Sequence, residues 1–318
     1  MKLLIWAILA ALPAAAQVQI AQHGIEYISV DINGKPFTRF YIGPETNKPY
    51  LHPLRSASGK IVTRGYPMED LPGESHDHPH HRGLWFSHGD VNGFDFWGNE
   101  QRGGKFGRIV LEKVNSLTSG KKSGTIDATF DWRDPSGQTL LTEDRRMTFY
   151  SQPKLRTIDF DITLTARENV KFGDTKEGTF AIRVVSGLES PHAGAPVDPP
   201  RTGHIVDSKG RQGEKEIWGK RADWVDYYGT VEGEPLGIAI FDNPGNPRHP
   251  TWWHARGYGL FAANIFGLHD FENDKTKDGG LTLAPGGTLR FRYRVVIHPG
   301  DFRDAHIARL YEEYAGGR

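Results

Sequence analysis

The chain has 318 residues and no cysteine. That excludes a disulfide framework, a thiol nucleophile, a zinc–thiolate site and an iron–sulfur cluster. Stability must therefore come from an apolar core, and any metal must be held by His, Asp, Glu or backbone oxygens. An excess of charge of one sign is also missing: 39 basic and 39 acidic residues give a formal net charge of +0. With no long basic run either, the chain lacks the cationic surface that a nucleic-acid partner requires. No P-loop or dinucleotide glycine pattern occurs, so no nucleotide cofactor is expected. Beyond the N-terminus, no segment approaches the roughly 18 apolar residues of a membrane helix.

What is present begins with MKLLIWAILAALPAAAQ. Lys2, the apolar run from Leu3 to Leu12 and the small residues Ala14, Ala15 and Ala16 read as a secretory signal peptide over residues 1–16. The expectation is a periplasmic or secreted protein, without a membrane attachment once the signal is cleaved. With 38 glycines, 20 prolines and 11% aromatics, the rest suits many short strands joined by tight turns. Period-two alternation is clear: Ile158, Phe160, Ile162 and Leu164 share one face, and Leu289, Phe291, Tyr293, Val295 and Ile297 another. One helix is expected, starting at Asp301 and ending before Gly316. No repeat or linker divides residues 18–318, so the pattern predicts a single all-β domain, a large two-sheet sandwich with one C-terminal helix. Long turn-rich stretches at 43–81, 91–105, 188–220 and 243–258 are the candidate functional loops.

The densest feature is HDHPHHRGLWFSHGDVNGFDFWGNEQ, residues 76–101, which holds five of the 14 histidines. Histidine carries or accepts a proton near neutral pH and is the commonest metal ligand. On an extended backbone His76, His78 and His80 share a face and are the candidate ligands of a divalent metal. Three readings stand open for this run, which includes His81: a polar supporting loop, a metal site, or direct contact with a substrate. Arg82 can hold a carboxylate or a sugar hydroxyl, or pair with Asp77 or Asp90. His88 shares its strand face with Leu84 and Phe86, which also suits a core histidine. Asp95 beside Trp97 is a pattern that suits a sugar, with a ring for the apolar face and an acid for the hydroxyls. Asp174, Lys176 and Glu177, in GDTKEG, sit at the mouth of a strand, where a carboxylate could be the base that removes a proton or the segment could be a solvated turn. Arg183 follows it, and Trp253, His254 and Arg256 form a second aromatic and cationic cluster. Trp218 and Trp224 read as packing residues. Arg290, Arg292, Arg294 and His298 share a strand face that either meets solvent or lines an anionic groove.

Through HDHPHHRGLWFSHGDVNGFDFW, GDTKEGTFAIRV, TWWHARGYGLFAANIFG and LTLAPGGTLRFRYRVVIHPGD, the chain resembles the secreted bacterial proteins labelled "methane oxygenase PmoA" family. More distantly it is similar to galactose-mutarotase-like proteins, β-supersandwich domains in which histidine and glutamate perform acid–base work on a sugar. That resemblance implies a histidine segment at His78, His80 and His81. The group's second histidine and late glutamate have no matching pattern here, which leaves Glu177 as the candidate acid. The expected function is acid–base chemistry on a sugar or glycoside (hydrolysis, elimination or epimerisation), with a small-molecule or oligosaccharide ligand. His78, His80, His81 and Glu177 would be catalytic. Arg82, His88, Asp95, Trp97, Arg183, Trp253, His254 and Arg256 would bind substrate. The alternatives are a non-catalytic carbohydrate-binding protein, a metal-dependent oxidoreductase, as the family label implies, and a structural envelope protein.

Overall fold

A computed structural model describes residues 17–100, 104–192, 195 and 198–317. The expected signal segment, residues 1–16, lies outside these residues. Among the described residues, no helix is long and apolar enough to cross a membrane. Alternating apolar and polar side chains build two eight-stranded sheets. The first runs, in spatial order, β1 (Val18–His23), β2 (Tyr27–Ile32), β3 (Lys35–Tyr41), β4 (Tyr50–His52), β5 (Leu84–His88), β11 (Gly178–Arg183), β16 (Leu260–Asn264) and β15 (Trp252–Ala255). The second runs β12 (His204–Asp207), β13 (Trp224–Val231), β14 (Glu234–Asp242), β18 (Thr288–Pro299), β9 (Arg156–Ala166), β8 (Thr139–Tyr150), β7 (Ser123–Arg133) and β6 (Arg108–Thr118). A short ribbon pairs β10 (Val170–Phe172) with β17 (Leu281–Leu283). All pairings are antiparallel, and one continuous apolar core lies between the sheets.

The faces follow the alternation. Phe130, Trp132, Ile158, Phe160, Ile162, Phe291, Tyr293 and Val295 of the second sheet enter the core, against Phe40, Leu84, Phe86, Phe180, Ile182, Phe261 and Trp253 of the first. Each such fully buried aliphatic or Phe side chain contributes roughly 1.5–3 kcal/mol. Two sequence expectations shift. The stretches at 188–220 and 243–258 each contain a four-residue strand, β12 and β15; runs that short carry little periodicity. The helix begins at Ile307, not Asp301. Asp301 instead accepts the N–H groups of Arg303 and Asp304 at 2.7 and 2.9 Å. His306 sits in the left-handed region at φ 54°, which right-handed helical backbone excludes. The helix covers the outer face of the second sheet, packing Ile307 and Tyr314 on Trp224, Phe241 and Val296.

The outer face of the first sheet positions the candidate site. Trp85 alternates with Leu84 and Phe86, so its ring points away from the core. Register places one row of residues across this face: Tyr41 opposite Tyr50, Tyr50 opposite Trp85, Trp85 opposite Ala181, Ala181 opposite Ala262, and Ala262 opposite His254. Large rings stand at both ends of the Trp85-to-His254 span, and two alanines lie between them. The span covers three strand spacings, about 14 Å.

Candidate functional site

The histidine segment reaches this face through a charged anchor. Arg64 and Arg183 are fully buried, and both donate to Asp77 Oδ1, at 2.6 and 3.0 Å. Arg64 also donates to the carbonyls of Tyr66, Ser75, Asp77 and His78. His78 Nδ1 bonds Asp77 Oδ2 at 2.7 Å. Burial works to raise the Asp77 pKa. The His78 hydrogen bond and the charges of Arg183 and Arg64 outweigh it and hold the carboxyl well below its usual range. Asp77 therefore stays ionised and ties the loop to the sheet. On the far side, Glu189 pairs with Arg201 at 3.2 Å and lies 3.9 Å from Arg183.

From that anchor rises a column of flat rings. Tyr258 stacks on His78 (5.5 Å between centroids, 8° between planes), His78 on His81 (4.7 Å, 5°), and His81 on Trp85 (5.3 Å, 21°). Trp97 meets His81 edge-on at 5.9 Å and Trp85 at 5.0 Å. His80 packs edge-on against both His78 and His81. Arg183 caps the column 4.6 Å from the Tyr258 centroid. Much of the histidine density thus serves stacking.

The protonation of His81 follows from its partner. Arg183 Nη1 lies 3.3 Å from His81 Nδ1, and a guanidinium can only donate. Burial, then the charges of its neighbours, holds the His81 pKa well below the ordinary value, so the ring is neutral. Its one proton therefore sits on Nε2. That N–H is buried without a protein partner, and so are Trp85 Nε1 and Trp97 Nε1. Three donors on three mutually touching rings are left without acceptors, and Ser87 Oγ on the same strand is also unpaired. Buried polar groups are nearly always paired, so this cluster requires an explanation.

The opposite side is built by Glu177, His254 and Arg256. His254 Nδ1 donates to Lys176 O at 3.0 Å, and its Nε2 accepts from Arg256 Nε at 3.2 Å. Burial pushes its pKa down to about 4, so it too is neutral. Arg256 continues to Glu214 at 2.8 Å and covers Trp218. The Glu177 carboxylate, half-buried, pairs with Lys176 Nζ at 2.6 Å. Tyr258 joins the two sides: it touches His78, and its phenol, pushed up to about 12 by burial, lies in the fields of Arg183, Arg256, Glu177 and Asp77.

The other expected residues divide. Trp97 belongs to the ring cluster, but only its edge N–H is left to a ligand: it is 1% exposed and packs with Tyr50 and Trp85, so it gives no open stacking face. Asp95 Oδ1 accepts the N–H groups of Trp97 and Gly98 at 2.7 and 2.8 Å, which sets the turn that places Trp97. Arg82 pairs with Glu100 at 3.0 Å, not with Asp77 or Asp90, and covers Tyr50. Burial pushes His80 down to about 3. Two substrate-binding expectations are corrected. His88 is fully buried against Phe172 and Phe266 and bonds Gly173 O at 2.9 Å, as a core histidine. Trp253 is a core residue whose indole N–H donates to Ala222 O, so neither ring face meets a ligand.

The three metal candidates do not converge. His76 turns to Asp70 and stacks on Tyr66. His78 Nδ1 is committed to Asp77, and His80 stands edge-on to the His78 ring at 71°. Among the described residues no group of three or more His, Asp or Glu could hold a metal. Arg64, Tyr258, Ala181, Ala262 and Lys48 carry little signal at the level of residue type and pattern. Lys48 is fully buried beneath Trp97 and Asn99, and burial lowers it to about 8.

Fold and site together define a two-sheet β-sandwich protein with an aromatic, donor-rich polar site on one outer sheet face. The chain belongs to DUF6807, a family of unknown function, which it matches over residues 27–312. That family's description carries no methane-oxygenase label. No curated protein matches the chain. Among solved structures it is similar to an α-galactosidase from Lactobacillus brevis, at 11% identity and a TM-score of 0.38, over 92% of this chain and 41% of that one. The chain thus spans about two fifths of the length of that enzyme. It is also similar to galactose 1-epimerase from Lactobacillus acidophilus (7% identity, TM-score 0.41, 90% of this chain and 100% of the other). A galactose mutarotase-like protein from Clostridium acetobutylicum gives 8%, 0.40, 89% and 99%.

Proposed function

We propose that the protein binds a carbohydrate on the outer face of the first sheet, between the Trp85 ring cluster and His254, and performs acid–base chemistry on it. The observation that supports this reading best is the set of buried donors without acceptors: His81 Nε2–H, Trp85 Nε1–H and Trp97 Nε1–H. A sugar supplies oxygens to accept them, and the Ala181–Ala262 step leaves the row's smallest side chains between its ends. A neutral imidazole N–H polarises an oxygen without itself being an acid, as electrophilic assistance requires. Glu177 is the carboxylate assigned to take the proton, which suits elimination or epimerisation beside a polarised oxygen. With the signal segment at residues 1–16, the place of action is the periplasm or the medium.

A non-catalytic binding protein is the second reading, favoured by the Lys176–Glu177 ion pair that occupies the proposed base. The test is isothermal titration against a panel of neutral and oxidised mono- and oligosaccharides, followed by turnover assays on any binder. His81→Phe and Trp85→Phe are each expected to weaken binding about 5–10-fold, the worth of one buried hydrogen bond. Glu177→Gln is expected to abolish turnover while binding stays within about threefold. Unchanged binding in both ring variants would overturn the reading. Binding without turnover in the wild type would select the non-catalytic form.

A further inference from the structure

The row on the first sheet does not end at His254. Trp218 meets that imidazole edge-on at 6.4 Å between centroids, and meets Phe271 at 5.6 Å. Beyond them, at the edge strand β15, lies an open cleft of about 590 Å³. It is lined by Trp218, Trp252, Phe271, Lys215, Lys220 and Arg221. Trp252 stands two residues before His254 on the same strand, so alternation sends both to the same outer face. The cleft therefore continues the candidate site along the sheet.

Its chemistry is one-sided. Arg221 donates to the carbonyls of Arg248, His249 and Pro250, which fixes its guanidinium over Trp252, 4.5 Å from the ring centroid. Among the described residues, no carboxylate lies within ion-pair distance of Lys215, Lys220 or Arg221. The one acid on the lining, Glu272, pairs with Lys277, accepts from Trp252 and lies in the field of Arg221, so the cleft is mainly, not wholly, cationic. Trp218 Nε1 is a buried donor with no partner, although the ring itself is only half-buried. Three cations, the half-buried Trp218 ring and its unused N–H fit a ligand with both a ring face and negative charge. The volume falls in the range of small-ligand sites. Exposed lysines attract an anion at a distance, and Arg221 over its ring gives a fixed, weakly hydrated cation.

We infer that the β15-edge cleft is a subsite for an anionic oligosaccharide, its acidic units lying beside Trp218 and the cations Lys215, Lys220 and Arg221, and its neighbouring sugar reaching the Trp85–His254 span. The inference rests on the carbohydrate reading above and narrows its ligand to an acidic glycan. A carboxylate of a uronate and a sulfate ester share the chemistry that the cleft recognises.

The test is titration calorimetry with three hexasaccharides: a hexagalacturonate, a sulfated galactan hexamer and a neutral galactose hexamer. Wild type is compared with the double variant Lys215→Glu/Lys220→Glu, whose side chains are exposed and unpaired, and with Trp85→Phe. At least one acidic hexamer is expected to bind at least about tenfold more tightly than the neutral one, and to weaken as salt rises. The charge reversal should remove that preference and leave the neutral hexamer within about twofold. Which acidic hexamer prevails separates uronate from sulfate. Equal binding of acidic and neutral hexamers, unmoved by the reversal, overturns the subsite and leaves the carbohydrate reading standing. Acidic binding that the reversal abolishes but Trp85→Phe leaves unchanged supports the cleft and overturns the placement of sugar at the ring cluster. No binding of any hexamer overturns both.

Discussion

The two outer sheet faces are built by the same alternation, yet they hold opposite kinds of polar chemistry. On the second sheet, two arginines of β18 each meet one aspartate of the neighbouring β9. Arg294 meets Asp159 through two bonds of 2.6 and 2.7 Å, and Arg290 grips Asp161 with a similar fork. These pairs lie open to solvent or half-open, and Asp159 also accepts from the Tyr150 hydroxyl at 2.8 Å. On the first sheet the polar groups are buried under loops and shared unevenly. Two guanidiniums lean on one Asp77 oxygen, and three ring N–H groups have no acceptor. A charged residue on an outward strand position therefore means little until the loop that covers it is known.

Removing a shared acceptor should break the first face and hardly touch the second. Asp77→Ala leaves the buried Arg64 without its ion-pair partner and Arg183 with only Glu189 at 3.9 Å, which costs about 3–5 kcal/mol. The expected outcome is a large fall in the urea midpoint with an unchanged slope. Asp77→Asn, which keeps one carbonyl acceptor but no charge, should recover part of that loss. A stability change below about 1 kcal/mol in Asp77→Ala would show that the anchor is dispensable.

Titration divides the faces by sign. Burial lowers His52 and His254 to about 4 and His80 to about 3, holds His81 well below its ordinary value, and lowers the core His88 to about 4. The unfolded chain binds these protons near the ordinary histidine value and the folded one does not. Their contribution is full above about pH 6.5 and is lost as pH falls towards 4, by up to about 1.4 kcal/mol per pH unit for each ring. His298, on the second sheet, behaves oppositely. Burial alone would lower it, but Asp226 at 2.7 Å holds its pKa above the ordinary value. Its contribution is full below about pH 6.5 and fades as pH rises through the raised pKa. Urea midpoints at pH 8, 7, 6 and 5 should fall steeply on the acid side. His298→Gln should flatten only the alkaline side. An acid limb that is flat from pH 6.5 to 5 would contradict neutral, buried imidazoles on the first face.

The core was legible in sequence because long strands repeat. Eleven- and twelve-residue runs such as β9 and β18 declare both faces. The four-residue β12 and β15 did not, and the helix start was misplaced because Asp301 caps a turn as readily as a helix. At the site, the histidine segment, Arg183, Glu177 and His254 stood out by residue type, and the fold places them on one face. Their roles did not follow. Imidazoles two residues apart suggested an ion, but stacking geometry depends on Trp85 and Tyr258, which are distant in sequence or hidden within a strand. Arg64 sits in an ordinary loop, and only its burial beside Asp77 marks it. Ala181 and Ala262 matter through their small size in a row that four separate segments must assemble.

That row gives a test smaller than the anchor's. Ala262→Leu adds volume between Trp85 and His254 on the first face. Overpacking should cost about 1–3 kcal/mol in stability. If sugar lies on that span, the same variant should weaken binding of any sugar that the titration panel identifies by about tenfold or more. Unchanged binding together with the expected stability loss would move the ligand off the Ala181–Ala262 floor.

The smallest effect belongs to the second face, where it serves as the reference for the others. Arg290 is 59% exposed and Asp161 35%. An exposed pair gains little from its Coulomb attraction, since water screens the charges and two long side chains must be held in place. Asp161→Ala should therefore change stability by no more than about 0.5 kcal/mol, and even that should vanish in 1 M salt. Set beside Asp77→Ala, the ratio of the two losses measures what burial does to an otherwise similar arginine–aspartate contact. A loss above about 2 kcal/mol at Asp161 would mean that the outer ladder of the second sheet is a structural network in its own right, and the contrast between the faces would fail.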